Sequence, residues 1–373
     1  MRTASSSLHI LLLAVAACTP RSGDRAETGQ ADSGSPVADS AAGSTAPATP
    51  AAPNEQMQTV LSSLAALHPT PIIKLSAPEA RKQPSPADAV KALLTKAGKS
   101  TAPERVGTVV NRTIPGPGGP IPVRIYTPSG QGPFPVVLYI HGGGWVIADL
   151  DTYDASPRAL ANLAHTVVVS THYRQAPEHK FPAAHQDAFA AYQWTLANAK
   201  SLKGDPARVA VVGESAGGNL AAAVSIMARD SGVQEPVHQV LVYPIAGYDL
   251  NTPSYRENAD AKPLNKPMMA WFFKQYLRSP ADGKNPLIDL VHADLAGLPP
   301  TTIINAQLDP LRSDGERLAV ALKQAGVDVE QKTFDGVTHE FFGMGAVVDE
   351  ARAAAQMAAD GLTHGFGRSV TSR

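Results

Sequence analysis

Ser215 lies in Gly213-Glu214-Ser215-Ala216-Gly217, directly after the apolar run Arg208-Val209-Ala210-Val211-Val212 and directly before a helical pattern. A serine hydroxyl becomes a useful nucleophile only when it is lifted clear of its surroundings and a base takes its proton. A strand that turns sharply into a helix does the lifting. Glycines two residues either side, Gly213 and Gly217, remove the side chains that would collide in so strained a turn. The helix behind it presents backbone amides where negative charge would develop on a reacting oxygen.

A second glycine-rich stretch, His141-Gly142-Gly143-Gly144-Trp145, follows the apolar run Pro135-Val136-Val137-Leu138-Tyr139-Ile140. Three consecutive glycines suit a loop whose N–H groups must approach a ligand closely, and this pattern is that of an oxyanion loop. A phosphate-binding loop is the competing reading. It would need a G-x-x-x-x-G-K-[ST] lysine or a G-x-G-x-x-G run, and this stretch carries neither. In a site of this kind the acid and then the histidine follow the serine. Asp309, in Asp309-Pro310-Leu311, comes just after the apolar run Thr301 to Ala306, and His339 comes just past the run Val329 to Phe334. Asp314 and Asp335 are rival acids, read as a surface helix residue and a turn residue. His165, His172, His179, His185, His238 and His292 lack such placement and read as packing or surface residues. The chemistry implied is acyl transfer to water: Ser215 attacks, His339 is the general base, and Asp309 fixes the imidazole.

The elements that must hold these residues are legible as alternation. Strand-like runs cover Val106 to Thr113, Ile121 to Tyr126, Pro135 to Ile140, Thr166 to Thr171, Arg208 to Val212, Val237 to Tyr243, Thr301 to Ala306 and Val329 to Phe334. Helical patterns run from Ala183 to Lys200, from Ala216 to Arg229 and from Ser313 to Gln324. Strands alternating with helices predict a mostly parallel eight-stranded sheet with helices on both faces. Ahead of it, Met57, Leu61, Leu64 and Leu67 recur at helical spacing, and Ser85-Pro86-Ala87-Asp88 opens a capped helix ending near Gly98. Asn251 to about Pro286 breaks the alternation and reads as an insertion over the carboxyl ends of the strands. Its Met268, Met269, Trp271, Phe272 and Phe273 are expected mostly to pack within it.

Composition narrows the field. The 373 residues are 43% hydrophobic and 17% charged, ordinary for a globular chain. With 32 Lys+Arg against 33 Asp+Glu, no broad field exists to attract nucleic acid or an anionic membrane. The single cysteine, Cys18, excludes an intramolecular disulfide and Cys-cluster metal sites. No metal or organic cofactor is expected, and the expected partner is a small-molecule ester. The sequence does not fix an oligomeric state; a homodimer is compatible with it.

Cys18 ends a segment with its own meaning. After Arg2 and His9, the run Ile10 to Ala17 is apolar but too short to span a bilayer, so 1–18 reads as a signal peptide. Val15-Ala16-Ala17-Cys18 resembles a lipobox, which makes Cys18 the expected lipidation site and the only membrane attachment. Ordinary export is the alternative, because Ala14-Val15-Ala16 also fits a small-x-small cleavage rule. Either way the chain is expected to leave the cytoplasm for the cell envelope, periplasm or medium. Residues 19–54 are mostly Ala, Ser, Thr, Pro, Gly, Asp and Glu with almost no large apolar side chains, the composition of a flexible tether.

Taken together, the motifs resemble those of the hormone-sensitive-lipase-like esterases, bacterial family IV of the α/β-hydrolase superfamily. The likeness extends from about Val106 to Phe342, and also includes Tyr173-Arg174-Gln175-Ala176-Pro177-Glu178 and Asp309-Pro310-Leu311-Arg312. The resemblance implies an α/β-hydrolase fold with a helical cap. It makes Gly143, Gly144 and Ala216 the oxyanion-hole donors, gives His141 a loop-ordering role, and implies catalytic parts 105–250 and 287–366. N-terminal helices within 55–104, with the insertion 251–286, would then form a cap over an acyl pocket. Glu214, Gln175 and Ser313-Asp314 depart from the usual family pattern. The expected activity is hydrolysis of short- to medium-chain acyl esters through an acyl-enzyme. An amidase or lactonase could use the same triad. A non-catalytic ligand-binding relative would be expected to lack a triad residue, and here all three are in place.

Overall fold

A computed structural model describes residues 51–367; Cys18, the signal-peptide segment and all but the end of the tether region lie outside them. The sheet is built from β1 (Thr108–Ile114), β2 (Ile121–Thr127), β3 (Phe134–Ile140), β4 (Val167–Thr171), β5 (Gly204–Glu214), β6 (Gln239–Val242), β7 (Thr301–Leu308) and β8 (Val329–Thr338). The eight strands lie in the order β1-β2-β4-β3-β5-β6-β7-β8, antiparallel across β1-β2-β4 and parallel from β4 to β8.

Apolar runs form the central strands because both of their faces are covered. Val136, Leu138, Ile140, Val209, Val211, Leu241 and Ile303 point to one side. There they meet α5 (Ala183–Asn198), α6 (Ala216–Ser231) and α9 (Arg312–Gln324). Val137, Tyr139, Ala210, Val212, Val240, Val242 and Ile304 alternate to the other side, against α4 (Ala155–Leu163) and α10 (Asp349–Gly367). Each such valine or leucine, fully buried, contributes roughly 1.5–3 kcal/mol of transfer free energy.

The eight expected strands are all present, with β5, β7 and β8 longer than expected and β6 shorter. β5 starts earlier, at Gly204, past a register shift opposite Phe134 and Val136. β8 continues to Thr338 through an irregularity opposite Ala306 and Leu308. Asp335, read as a turn residue, is therefore an exposed position within a strand. The helices α4 and α10 had no clear sequence pattern; the buried face of α10 is largely alanine, with Ala351, Ala354, Ala355 and Ala358 against the sheet.

Ahead of the sheet come α1 (Glu55–Ala66), α2 (Ala77–Ala80) and α3 (Pro86–Lys96). Asn54 accepts the Met57 amide at 2.8 Å and so caps α1, while Ser85 and Asp88 form the capping box that opens α3. Between β6 and β7 lie α7 (Pro253–Glu257) and α8 (Lys266–Tyr276). α8 docks through Phe273 and Tyr276, whose rings meet Trp145 at centroid distances of 5.8 and 4.5 Å. Among the described residues no helix is long and apolar enough to cross a membrane.

Candidate active site

β5 delivers Ser215. At its end the chain reverses into α6 with Ser215 at φ 58° and ψ −117°, a left-handed backbone rare for a side-chain-bearing residue. Its amide donates to Val242 O at 2.9 Å and its carbonyl accepts from Ile245 N at 3.2 Å, so neighbouring β6 and the loop after it hold the turn. The flanking glycines are required by space: a Cβ on Gly213 would lie 2.0 Å from Gly217 O, and one on Gly217 would lie 2.0 Å from Ile140 O.

β7 and β8 deliver the other two groups to the same end of the sheet. His339 Nε2 lies 3.0 Å from Ser215 Oγ, and His339 Nδ1 lies 2.6 Å from Asp309 Oδ2. The second Asp309 oxygen accepts the Leu311 amide at 2.8 Å. With Nδ1–H committed to a carboxylate, Nε2 is the free lone pair that can accept the serine proton. All three side chains are buried. Burial alone would weaken the imidazole's hold on a proton, but Asp309 outweighs it and holds His339 above its ordinary value.

The loop after β3 supplies donors. Gly143 and Gly144 adopt φ 88° and 59°, and a Cβ on either would stand 2.2 Å from Ile147 O or Phe272 Cδ1 respectively. The loop's carbonyls are tied back. Tyr173 Oη donates to His141 O at 3.1 Å and Gly142 O at 2.9 Å, while Gly143 O accepts from Val146 N at 3.0 Å and Ile147 N at 2.9 Å. The N–H groups of Gly143, Gly144 and Ala216 have no partner among the described residues, which leaves them for a ligand oxygen. His141 is buried beneath this loop. Its Nδ1–H donates to Gly142 O at 2.9 Å, so its Nε2 accepts from His172 Nδ1 at 3.0 Å. Burial pushes His141 down to about 3, so it is a neutral strut at physiological pH.

Gly144→Ala tests the donors apart from the triad. The added methyl would displace the loop from Phe272, and kcat on an ester should fall ~10²–10³-fold, the usual effect of losing one such donor. Steady-state hydrolysis beside a melting curve checks it. Unchanged turnover would remove these amides from the oxyanion role.

Ser215, His339, Gly143 and Gly144 open onto a cavity of about 670 Å³. Leu61, Leu64, Ile72 and Ile73 from the N-terminal segment line one side, and Leu264, Met268, Met269 and Phe272 from the 251–286 segment line another. Three of the five large residues expected mostly to pack, Met268, Met269 and Phe272, thus face the cavity; Trp271 and Phe273 pack instead.

Asp314 is not the surface residue expected. It is 2% exposed, accepts the Ala246 amide at 3.1 Å, and burial pushes its carboxyl up to about 8. His165, His179 and His292 are exposed, whereas His172, His185 and His238 pack against neighbours. Glu214 is buried with both oxygens accepting from the hydroxyls of Tyr139 and Tyr243, and burial pushes it up to about 7. Gln175 donates to Ile147 O and Ala148 O, each at 2.8 Å, and so braces the loop beyond Gly144. No motif marks Tyr153, whose hydroxyl meets Glu340 beside His339. Among the described residues no group of His, Cys, Asp and Glu is arranged to hold a metal ion.

Residues 137–343 match the family profile of the alpha/beta hydrolase fold. The chain is 43% identical over 239 residues to the carboxylesterase NlhH of Mycobacterium tuberculosis, covering 63% of this chain and 75% of that protein. It is 34% identical over 300 residues to an ethyl acetate hydrolase of Pseudomonas putida, covering 78% of this chain and 91% of that one. Among solved structures, a hyperthermophilic esterase from Pyrobaculum calidifontis superposes with a TM-score of 0.72 at 39% identity, over 78% of this chain and 94% of that one.

Proposed function

Because the chain belongs to the hormone-sensitive-lipase-like esterases of the α/β-hydrolase superfamily, we propose that it is a serine carboxylesterase hydrolysing short- to medium-chain acyl esters through an acyl-enzyme on Ser215. One observation carries this reading: an unbroken relay, Asp309 to His339 at 2.6 Å and His339 to Ser215 at 3.0 Å, opens onto a largely apolar cavity.

The reaction follows from the geometry. Ser215 Oγ attacks the acyl carbonyl while its proton passes to His339 Nε2, and Asp309 stabilises the imidazolium. The carbonyl oxygen, now negative, is held by the amides of Gly143, Gly144 and Ala216. The imidazolium then gives its proton to the departing alkoxide, leaving an acyl ester on Ser215. Water enters on the same face, His339 takes its proton, and the acid departs. A cavity of about 670 Å³ walled by leucine, isoleucine, methionine and phenylalanine favours an acyl chain of several carbons over a long one.

We further propose that residues 1–18 export the chain, that Cys18 receives the lipid, and that the following stretch tethers the enzyme to the cell envelope. The apolar run Ile10 to Ala17, the lipobox-like Val15-Ala16-Ala17-Cys18 and the low hydrophobicity after it support this. A fragment beginning at Ala51, which keeps the Asn54 cap of α1, should then be a fully active esterase with kcat/KM unchanged on a soluble ester. Loss of activity in that fragment would contradict the tether reading.

Hydrolysis of p-nitrophenyl esters from acetate to palmitate tests the main reading. Turnover should peak at short or medium acyl length. No turnover on any ester, with turnover on anilides instead, would replace the esterase reading with an amidase.

A further inference from the structure

The reaction above leaves a second carboxylate beside the triad unused. Glu340 follows His339 directly and holds φ 71°, a left-handed backbone that side-chain-bearing residues rarely adopt and that persists chiefly where the surroundings enforce it. Its side chain folds back over the triad. Glu340 Oε1 lies 3.8 Å from His339 Nε2, the nitrogen that faces Ser215 Oγ at 3.0 Å. The Tyr153 hydroxyl donates to Oε1 at 2.7 Å and Oε2 at 2.8 Å. Tyr153 in turn sits against the oxyanion loop: a Cβ on Gly142 would stand 2.4 Å from its hydroxyl. No lysine or arginine of the described residues pairs with Glu340, and its side chain, 21% exposed, forms part of the cavity wall.

We propose that Glu340 is a positioning and specificity-determining residue. Its carboxylate, clamped by Tyr153, backs the imidazolium that His339 becomes during the reaction, and it places negative charge beside the nucleophile that disfavours esters carrying an anionic group near the scissile bond. The proposal rests on the esterase reading.

The charged groups around it set the sign of the test. His339 and, behind it, Asp309 face Glu340 from the β8 and β7 ends; Tyr153 faces it from the segment before α4, and Glu214 lies below between Tyr139 and Tyr243. Burial raises the Glu340 carboxyl, and His339 and the Tyr153 hydroxyl oppose that rise. Glu340 also contributes, after Asp309, to holding His339 above its ordinary value. Activity requires neutral His339, so kcat/KM climbs with pH through the His339 pKa. Removing a neighbour that raises that pKa moves the limb to lower pH.

The experiment compares wild type, Glu340→Gln and Glu340→Asp on p-nitrophenyl butyrate and p-nitrophenyl hemisuccinate, acyl groups of equal length that differ by a carboxylate. Wild type should prefer the butyrate ester at least ~10-fold, as juxtaposed like charges require. Glu340→Gln, which can still accept from Tyr153, should narrow that preference several-fold and shift the acid limb down by about one pH unit. Glu340→Asp keeps the charge and should hold the limb closer to wild type. If the glutamine and aspartate variants lose activity alike, with limb and substrate ratio unmoved, Glu340 is only structural and the proposal is overturned while the esterase reading stands. Absence of wild-type turnover on the butyrate ester would defeat the esterase reading and this inference with it.

Discussion

Ser215→Ala should lower kcat on p-nitrophenyl butyrate about 10⁶-fold, while the protein still folds and still binds the ester. The size follows from the relay. Without Oγ there is no atom 3.0 Å from His339 Nε2 to receive the acyl group, so the covalent route closes entirely. What remains is binding and the three free amides, which can still favour direct attack by water on a bound ester. Alanine adds no new strain, since Ser215 already carries φ 58° and removing one oxygen leaves the contacts with Val242 and Ile245, which are made by the backbone. The melting temperature should therefore move by little. Because serine and histidine act as a unit, Ser215→Ala combined with His339→Ala should cost no more than Ser215→Ala alone. A serine variant retaining more than about 1% of wild-type kcat, far above that expectation, would place the nucleophile elsewhere.

Ser215 and Asp309 were legible in the sequence because each follows an apolar run, and His339 because it comes just past the last strand, the partly exposed β8. Ile140, Glu214, Leu308 and Thr338 are the carboxyl-terminal residues of parallel strands, and the carboxyl ends of such strands are where sites of this kind gather. The strands were legible for the related reason that both faces are covered, which makes Val136 to Ile140 and Val209 to Val212 nearly continuous in apolar residues. α10 was not, because alanine carries little hydrophobic contrast and its buried stripe of Ala351, Ala354, Ala355 and Ala358 looks like any helix-forming stretch. Asp314 read as exposed because its partner, the Ala246 amide, is 68 residues away. Tyr153 and Glu340 meet across 187 residues for the same reason. Side chains satisfied by distant backbone or by distant hydroxyls leave no periodic trace. The cavity lining was underestimated likewise: whether Met268 and Phe272 pack or face substrate depends on the angle at which α8 crosses Gly144, which helical spacing does not encode.

That same blindness makes the two aspartates of this region worth separating by experiment. Asp309→Asn should reduce kcat ~10⁴-fold. An asparagine amide at this position would donate to His339 Nδ1, which must then give up its proton, and the proton would move to Nε2 where it faces Ser215. The imidazole would be held in place in the tautomer that cannot act as a base. Asp314→Asn should behave oppositely and change kcat by no more than a few-fold. Burial pushes that carboxyl up to about 8, so it is mostly neutral at pH 7, and the oxygen that accepts the Ala246 amide survives in asparagine. Both variants should give wild-type circular dichroism, since each exchanges one planar group for another of equal size. Paired kcat values at pH 7 decide the matter. If Asp314→Asn proves the inactive one, the acid lies in the first turn of α9, and the 2.6 Å contact between Asp309 and His339 would have to be read as a hydrogen bond that orients the imidazole without governing its tautomer.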